Sequence, residues 1–293
     1  MSSQFNFEAI GTKWKIDIFD VLEKEKEIGL EQAIIDRVNL FDSVYSRFRA
    51  DSWLARISGS PGTYDLPPDG FKLLSLYQNL FSLTVGRMTP LIGQTLIDAG
   101  YDKEYSFDQK KALSTPPAWN DVIELSPTHI IIKRPAQLDL GAIGKGYIID
   151  IIGELLESDG VGSYCVDAGG DMRVRNAKGE ALRVGLEHPL DTTKVIGVMQ
   201  VMNKSIAGSS GNRRKWKHFN HIIDPASLSS PKNITAVWVV AETTMLADAL
   251  TTALYFTSAD ILRGHYDFDY LILYLDMSAE GSLLQSPMLE LYQ

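Results

Sequence analysis

The chain has 293 residues, 45% hydrophobic and 22% charged, with a net charge of −9. That composition builds a large globular core, and its acidic balance argues against a nucleic-acid-binding protein. The single cysteine, Cys165, excludes an intrachain disulfide framework and a cysteine-built zinc site.

No apolar run is long enough to span a bilayer. The opening MSSQFNFEAIG lacks the basic start and apolar middle of a signal peptide, so the chain reads as cytoplasmic unless a leader has been removed. AIGTKWKIDIF alternates as a first strand, with Gly11-Thr12 a bend before or within it. Leu30, Ile34, Val38, Phe41, Tyr45 and Phe48 recur on one helical face. Asp51 or Ser52 is placed to cap a short helix at WLARI. Pro67-Pro68-Asp69-Gly70 precedes a helix from about Phe71 to about Leu83. GRMTPLIGQTLIDAGYD reads as loop and short helix, and residues 103–121, polar with two prolines, as a surface insertion.

From Val122 the pattern turns to strands, DVIELS and HIIIKR. LDLGAIGKGYIIDIIGELLESDG then passes through Gly141, Gly144 and Gly146 into a helix ending at Gly160. A glycine-rich entry to a helix suits a phosphate, because backbone N–H groups point outward there. Tight packing explains the same glycines. SYCVDAGGDMRVRN, ALRVGLEHP, KVIGVMQVMNKSIAG and NITAVWVVAE are strands, with Cys165 a core thiol. TTMLADALTTALYF is a helix with Leu246, Ala249, Leu250, Ala253 and Leu254 inward, and DYLILYLD and LLQSPMLELYQ close the sheet. Helices interleave with antiparallel strands without a strict βαβ repeat. The expected class is α+β, as one domain over residues 1–293 or two intimate lobes.

Four constellations bear chemistry. Asp248 and Thr252, at i and i+4, share a helix face and offer the hard oxygen ligands magnesium takes; a solvated face is the alternative. HFNHIIDPAS holds His221, a candidate general base, with Asp224 in the following turn; a His218–His221 metal pair or a histidine bonded within a turn are the alternatives. Ser209-Ser210-Gly211 reads as a flexible hydroxyl-bearing loop, and the basic run Arg213, Arg214, Lys215 and Lys217 faces phosphate, an acidic partner or solvent. Gly169-Gly170-Asp171 makes a hairpin or lets a bulky ligand approach the backbone.

In this order the pieces resemble the ApbE family of FAD:protein FMN transferases. AIGTKWKIDI is similar to the family's opening strand, and residues 42–58 to its Ser-rich segment after the first helix. LTVGRMTPLIG follows. LDLGAIGKGYIID is the most specific match, and VDAGGDM, SIAGSSG, HIIDP and LADALTTAL complete the set. The resemblance implies a magnesium-dependent transfer of FMN from FAD to a threonine or serine hydroxyl of an acceptor protein, releasing AMP, with a flavin site between lobes. It places Asp139 and Lys145 at the flavin nucleotide, and the Ala142 carbonyl, Asp248 and Thr252 on magnesium. It also places Ile223 against FAD through its backbone, Ile10 and Phe48 beside the flavin, and His221 in the transfer step. His221, or Asp224 beside it, would take the acceptor's proton. The chain departs from the family pattern at Ser82, Asn212 and Gly144, and Thr251 stands where some members carry an acidic ligand. Two other readings use the same residues: an FAD pyrophosphatase giving FMN and AMP, and a flavin-binding protein without catalysis.

Overall fold

The chain opens on a hairpin. In the computed structural model, which describes residues 3–212 and 214–292, β1 (Ser3–Ala9) pairs antiparallel with β2 (Thr12–Ile18). Only the second strand is legible in the sequence. Ile10 and Gly11 turn the chain with φ of 52° and 65°, and a β-branched residue is a poor signal for such a turn.

Helix α1 (Lys24–Tyr45) buries Leu30, Ile34, Val38, Phe41 and Tyr45, the periodic set. It ends before Phe48, which stands in the following loop. Helix α2 (Trp53–Gly59) is capped by Ser52, whose Oγ accepts the Ala55 N–H at 2.9 Å. A small sheet then forms from β3 (Gly62–Asp65), which the sequence does not announce, and from β4 (Ile123–Leu125) and β5 (His129–Ile132). Between them lie α3 (Gly70–Leu83), α4 (Gly93–Asp98) and α5 (Trp119–Val122). The 103–121 segment is exposed over most of its length, with Trp119 buried near its end.

The second half supplies α6 (Gly144–Ser158), β6 (Tyr164–Ala168), β7 (Asp171–Arg175), β8 (Leu182–Glu187), β9 (Val195–Val201), β10 (Ser205–Ser210), β11 (Lys215–Trp216) and β12 (Phe219–Asn220). Then come β13 (Ile234–Ala241), α7 (Thr244–Ala253), α8 (Ala259–Arg263), β14 (Phe268–Tyr274), β15 (Ala279–Glu280) and β16 (Leu289–Leu291). Eight strands form one sheet in the order β1-β2-β6-β7-β10-β13-β14-β15, antiparallel at every pairing. This α+β architecture has helices on one face and the three-stranded sheet β16-β9-β8 on the other.

β13 shows why its sequence is apolar throughout. Val237, Val239 and Ala241 enter the helical core, while Ala236, Trp238 and Val240 enter the core beneath the small sheet. Cys165 lies in that second core, and burial pushes its thiol up to about 12, so it is a packing residue. Two sequence expectations change here. LLQSPMLELYQ closes the three-stranded sheet through β16 rather than the main one, because Leu289–Leu291 pairs with β9. Ser209 and Ser210 are ladder residues of β10, held by β13, and not a flexible loop.

Helices α6 and α7 approach backbone to side chain. A Cβ on Gly146 would lie 2.3 Å from the Thr244 carbonyl oxygen and 2.7 Å from the Asp248 Cβ. One turn along α6, the Asp150 carboxylate accepts the Thr244 and Met245 N–H groups, each at 2.8 Å, capping α7. No helix among the described residues is long and apolar enough to cross a membrane. Gly146→Ala should lose about 1–3 kcal/mol despite alanine's better helix propensity, because the obstruction is backbone that cannot rotate aside. Thermal unfolding measures this; an unchanged Tm would mean the two helices separate easily.

Candidate active site

The sheet's helical face opens on a cavity of about 630 Å³, within the range of small-molecule sites. Its walls come from the β1–β2 turn, the end of α1 and its loop, the 139–145 bend, the end of β10, the 221–223 segment and α7. Of the residues singled out in the sequence, Ile10, Phe48, Asp139, Ala142, Lys145, His221, Ile223, Asp248 and Thr252 all line it.

Asp224 does not. Its Oδ1 accepts the Ala226 N–H at 2.9 Å and its backbone bridges to Ser229, so the carboxylate organises the Asp-Pro turn. Most backbone donors of the phosphate cradle expected at Gly141 to Gly146 are already taken within the protein. The Gly141 N–H goes to Asp139 Oδ1 at 2.8 Å, the Gly144 N–H to the Leu140 carbonyl at 2.8 Å, and the Gly146 N–H to Asp248 Oδ2 at 2.8 Å. The Ala142 N–H reaches the Tyr77 hydroxyl at 3.3 Å. Close packing is what these glycines serve.

Asp248 is 5% exposed, so its helix face is not solvated. Burial raises its carboxyl, and the Lys145 ammonium opposes that from 3.6 Å. Thr251, one residue before Thr252, points elsewhere. Its hydroxyl donates to the Asp248 carbonyl at 2.7 Å and meets the Ser209 hydroxyl at 2.8 Å, tying α7 to β10. No group of three His, Cys, Asp or Glu stands together among the described residues, so a cage of such side chains is not built here. One buried carboxylate, a hydroxyl and a carbonyl do suit magnesium, which keeps most of its shell for water and phosphate. His218 is exposed and packs on Phe219, away from a His221 pair.

Asp139 is fixed by Arg47, whose Nε donates to its Oδ2 at 2.5 Å and whose Nη2 donates to the Tyr101 carbonyl at 2.8 Å. The guanidinium also lies 4.1 Å from the centre of the Phe48 ring, a cation–π contact. Sequence reasoning missed Arg47; the only signal was a charge beside Phe48 in a buried segment. It also missed Tyr105, which comes from the surface insertion and stacks on Phe48 at 5.3 Å between centroids. Arg87 and Arg214 add further positive charge to the walls, so an acidic protein encloses a basic cavity. Arg214 is held by the Tyr101 hydroxyl at 3.3 Å, while Lys215 and Lys217 face solvent. Arg213, in the same basic run, lies outside the described residues. Ser82, on α3, donates to the Gln78 carbonyl at 3.1 Å and does not line the cavity; Asn212 is exposed.

His221 has a buried Nδ1 with no hydrogen-bond partner. Burial chiefly, then the Arg214 and Lys145 charges, push the imidazole down to about 3, with Asp139 pulling the other way. It is therefore neutral near pH 7. Between about 3 and its ordinary 6.5 the unfolded chain binds a proton that the folded chain refuses, so stability drains as pH falls through that window. His221→Gln should lose less stability than the wild type from neutral pH to about pH 5 in urea unfolding. Parallel losses would show that His221 is not excluded from protonation.

The sequence model of the ApbE family matches residues 10–264. The FAD:protein FMN transferase of Escherichia coli strain K12 is 25% identical over 267 residues, covering 84% of this chain and 76% of that protein. Its Treponema pallidum namesake is 27% identical over 307 residues, covering 93% and 84%. The crystal structure of an ApbE protein from Thermotoga maritima superposes with a TM-score of 0.86 at 19% identity, over 98% of this chain and 99% of that one. The Vibrio cholerae flavin transferase ApbE gives 0.78 at 19%, over 96% of each. At those identities the two structures speak for the fold.

Proposed function

The chain belongs to the ApbE family and is a flavin transferase, and from that premise we propose that it moves FMN from FAD to a threonine or serine hydroxyl of an acceptor protein. One observation carries the reading: Asp248, Thr252 and His221 face a single basic cavity. The basic walls suit a diphosphate, and Phe48 and Ile10 offer apolar surface to a ring.

In the reaction, the acceptor oxygen bonds to the FMN phosphorus as that phosphorus loses its bond to the bridging oxygen. AMP leaves with the bridging oxygen, and FMN remains on the acceptor as a phosphoester. The His221 imidazole, neutral beforehand, takes the hydroxyl proton. A diphosphate's negative charge beside the ring would draw its proton affinity upward. Asp139, clamped by Arg47, and Lys145 orient the nucleotide, and the Ile223 backbone and Phe48 position the flavin. Asp248, Thr252 and the Ala142 carbonyl would hold magnesium, which when bound would supply positive charge beside the leaving phosphate. Positioning and charge account for most catalysis of this kind.

Purified protein with FAD and magnesium, with and without a candidate acceptor domain, tests the reading through AMP release and acceptor mass. AMP that requires the acceptor, with an FMN-sized mass gain, is the expected result. AMP without acceptor would make the protein a pyrophosphatase, and bound FAD without AMP a flavin carrier. Asp248→Ala should abolish magnesium-dependent turnover while circular dichroism stays native. His221→Ala should slow transfer about 100-fold or more with FAD affinity little changed; equal losses in both would make His221 a structural residue.

A further inference from the structure

We propose that Asp171 is a positioning residue that holds the Lys145 ammonium off Asp248, keeping the Asp248 carboxylate open to a divalent cation; this rests on the metal assignment above. Asp171 begins β7 directly after Gly169 and Gly170, whose φ values of 66° and 95° make the β6–β7 turn. It is 1% exposed. Its Oδ1 accepts the Gly208 N–H of β10 at 3.1 Å. On its other neighbour, β13, the Trp238 ring would lie 3.0 Å from a Cβ at Gly208, so this position has little room for a side chain. Two strands therefore fix a carboxylate beneath the cavity floor, and the Lys145 ammonium forms an ion pair with it.

Lys145 thus stands between two acids. It pairs closely with Asp171 and makes a second, longer ion pair with Asp248 Oδ1 at 3.6 Å. The other Asp248 oxygen accepts the Gly146 N–H. Two carboxylates against one ammonium leave one negative charge, which a cation can neutralise. Without Asp171, a lysine already this close would settle on Asp248 and occupy the oxygen a metal needs. The hairpin behind the cavity is therefore part of the metal site, though its carboxylate would never touch the metal.

The test uses Mn2+ as the magnesium probe, with binding to the flavin-free, full-length protein followed by its electron paramagnetic resonance signal. Asp171→Asn should weaken Mn2+ binding about tenfold or more. Lys145→Met should tighten it, and the double variant should bind as Lys145→Met does. Rescue by removing the lysine separates positioning from packing. A double variant as weak as Asp171→Asn would overturn the proposal, as would an Asp171→Asn protein of wild-type affinity. If Asp171→Asn does not fold, Lys145→Met decides alone: unchanged or weaker Mn2+ binding overturns the idea. No Mn2+ binding by the wild type would remove the metal assignment and the proposal together. Because neither FAD nor acceptor is present, a failure of FMN transfer leaves this result standing and the two failures distinguishable.

Discussion

The approach of α6 to α7 is the constraint on which the rest depends. Gly146 and Asp150, one turn apart on α6, face Asp248 and Thr244, one turn apart on α7. The first pair sets the distance and the second sets the register, because Asp150 caps the helix that carries Asp248 and Thr252. Arg173 of β7 supports Asp150 from behind, its Nη1 donating to the Asp150 carbonyl at 3.1 Å. One backbone amide, one cap and one buried arginine thereby place the oxygens proposed for magnesium on the cavity wall.

Charge in this region is paired across elements. Arg47 holds Asp139, Lys145 holds Asp171, and Arg173 sits among Asp150 and Glu157. Such pairs contribute little net stability, since desolvation offsets attraction, but they fix geometry. The clefts of a protein carrying a net charge of −9 would otherwise repel a diphosphate. Arg87 and Arg214 on the cavity wall offset that locally.

Much of this was legible because it is local. The faces of α1 and α6 follow from periodicity, the place of α3 from the Pro-Pro-Asp-Gly turn before it, and α7 from its alanines and leucines. The cavity-lining residues followed from the family resemblance of short motifs. What failed needed partners distant in sequence. The 141–146 glycines looked like a phosphate cradle until Tyr77 and Asp248 arrived to take their N–H groups. Asp224 looked catalytic because it adjoins His221, but its Oδ1 serves the turn and its Oδ2 lies 3.9 Å from Arg87 Nη1. Asp171 was visible only as part of a Gly-Gly-Asp turn and Arg47 only as a charge beside Phe48, since each acts through a partner many residues away, Lys145 and Asp139 respectively. The first hairpin was hidden by the residue at its turn.

That residue has a further consequence. Ile10 lines the cavity with φ of 52°, a conformation that costs a β-branched side chain about 1–3 kcal/mol. Glycine or asparagine would relieve the strain and strip apolar surface from the cavity wall at once. Selection for thermal stability alone would replace Ile10 early, and the sturdier protein would have a less apolar cavity wall. The isoleucine is a place where fold and ligand make opposite demands on one side chain.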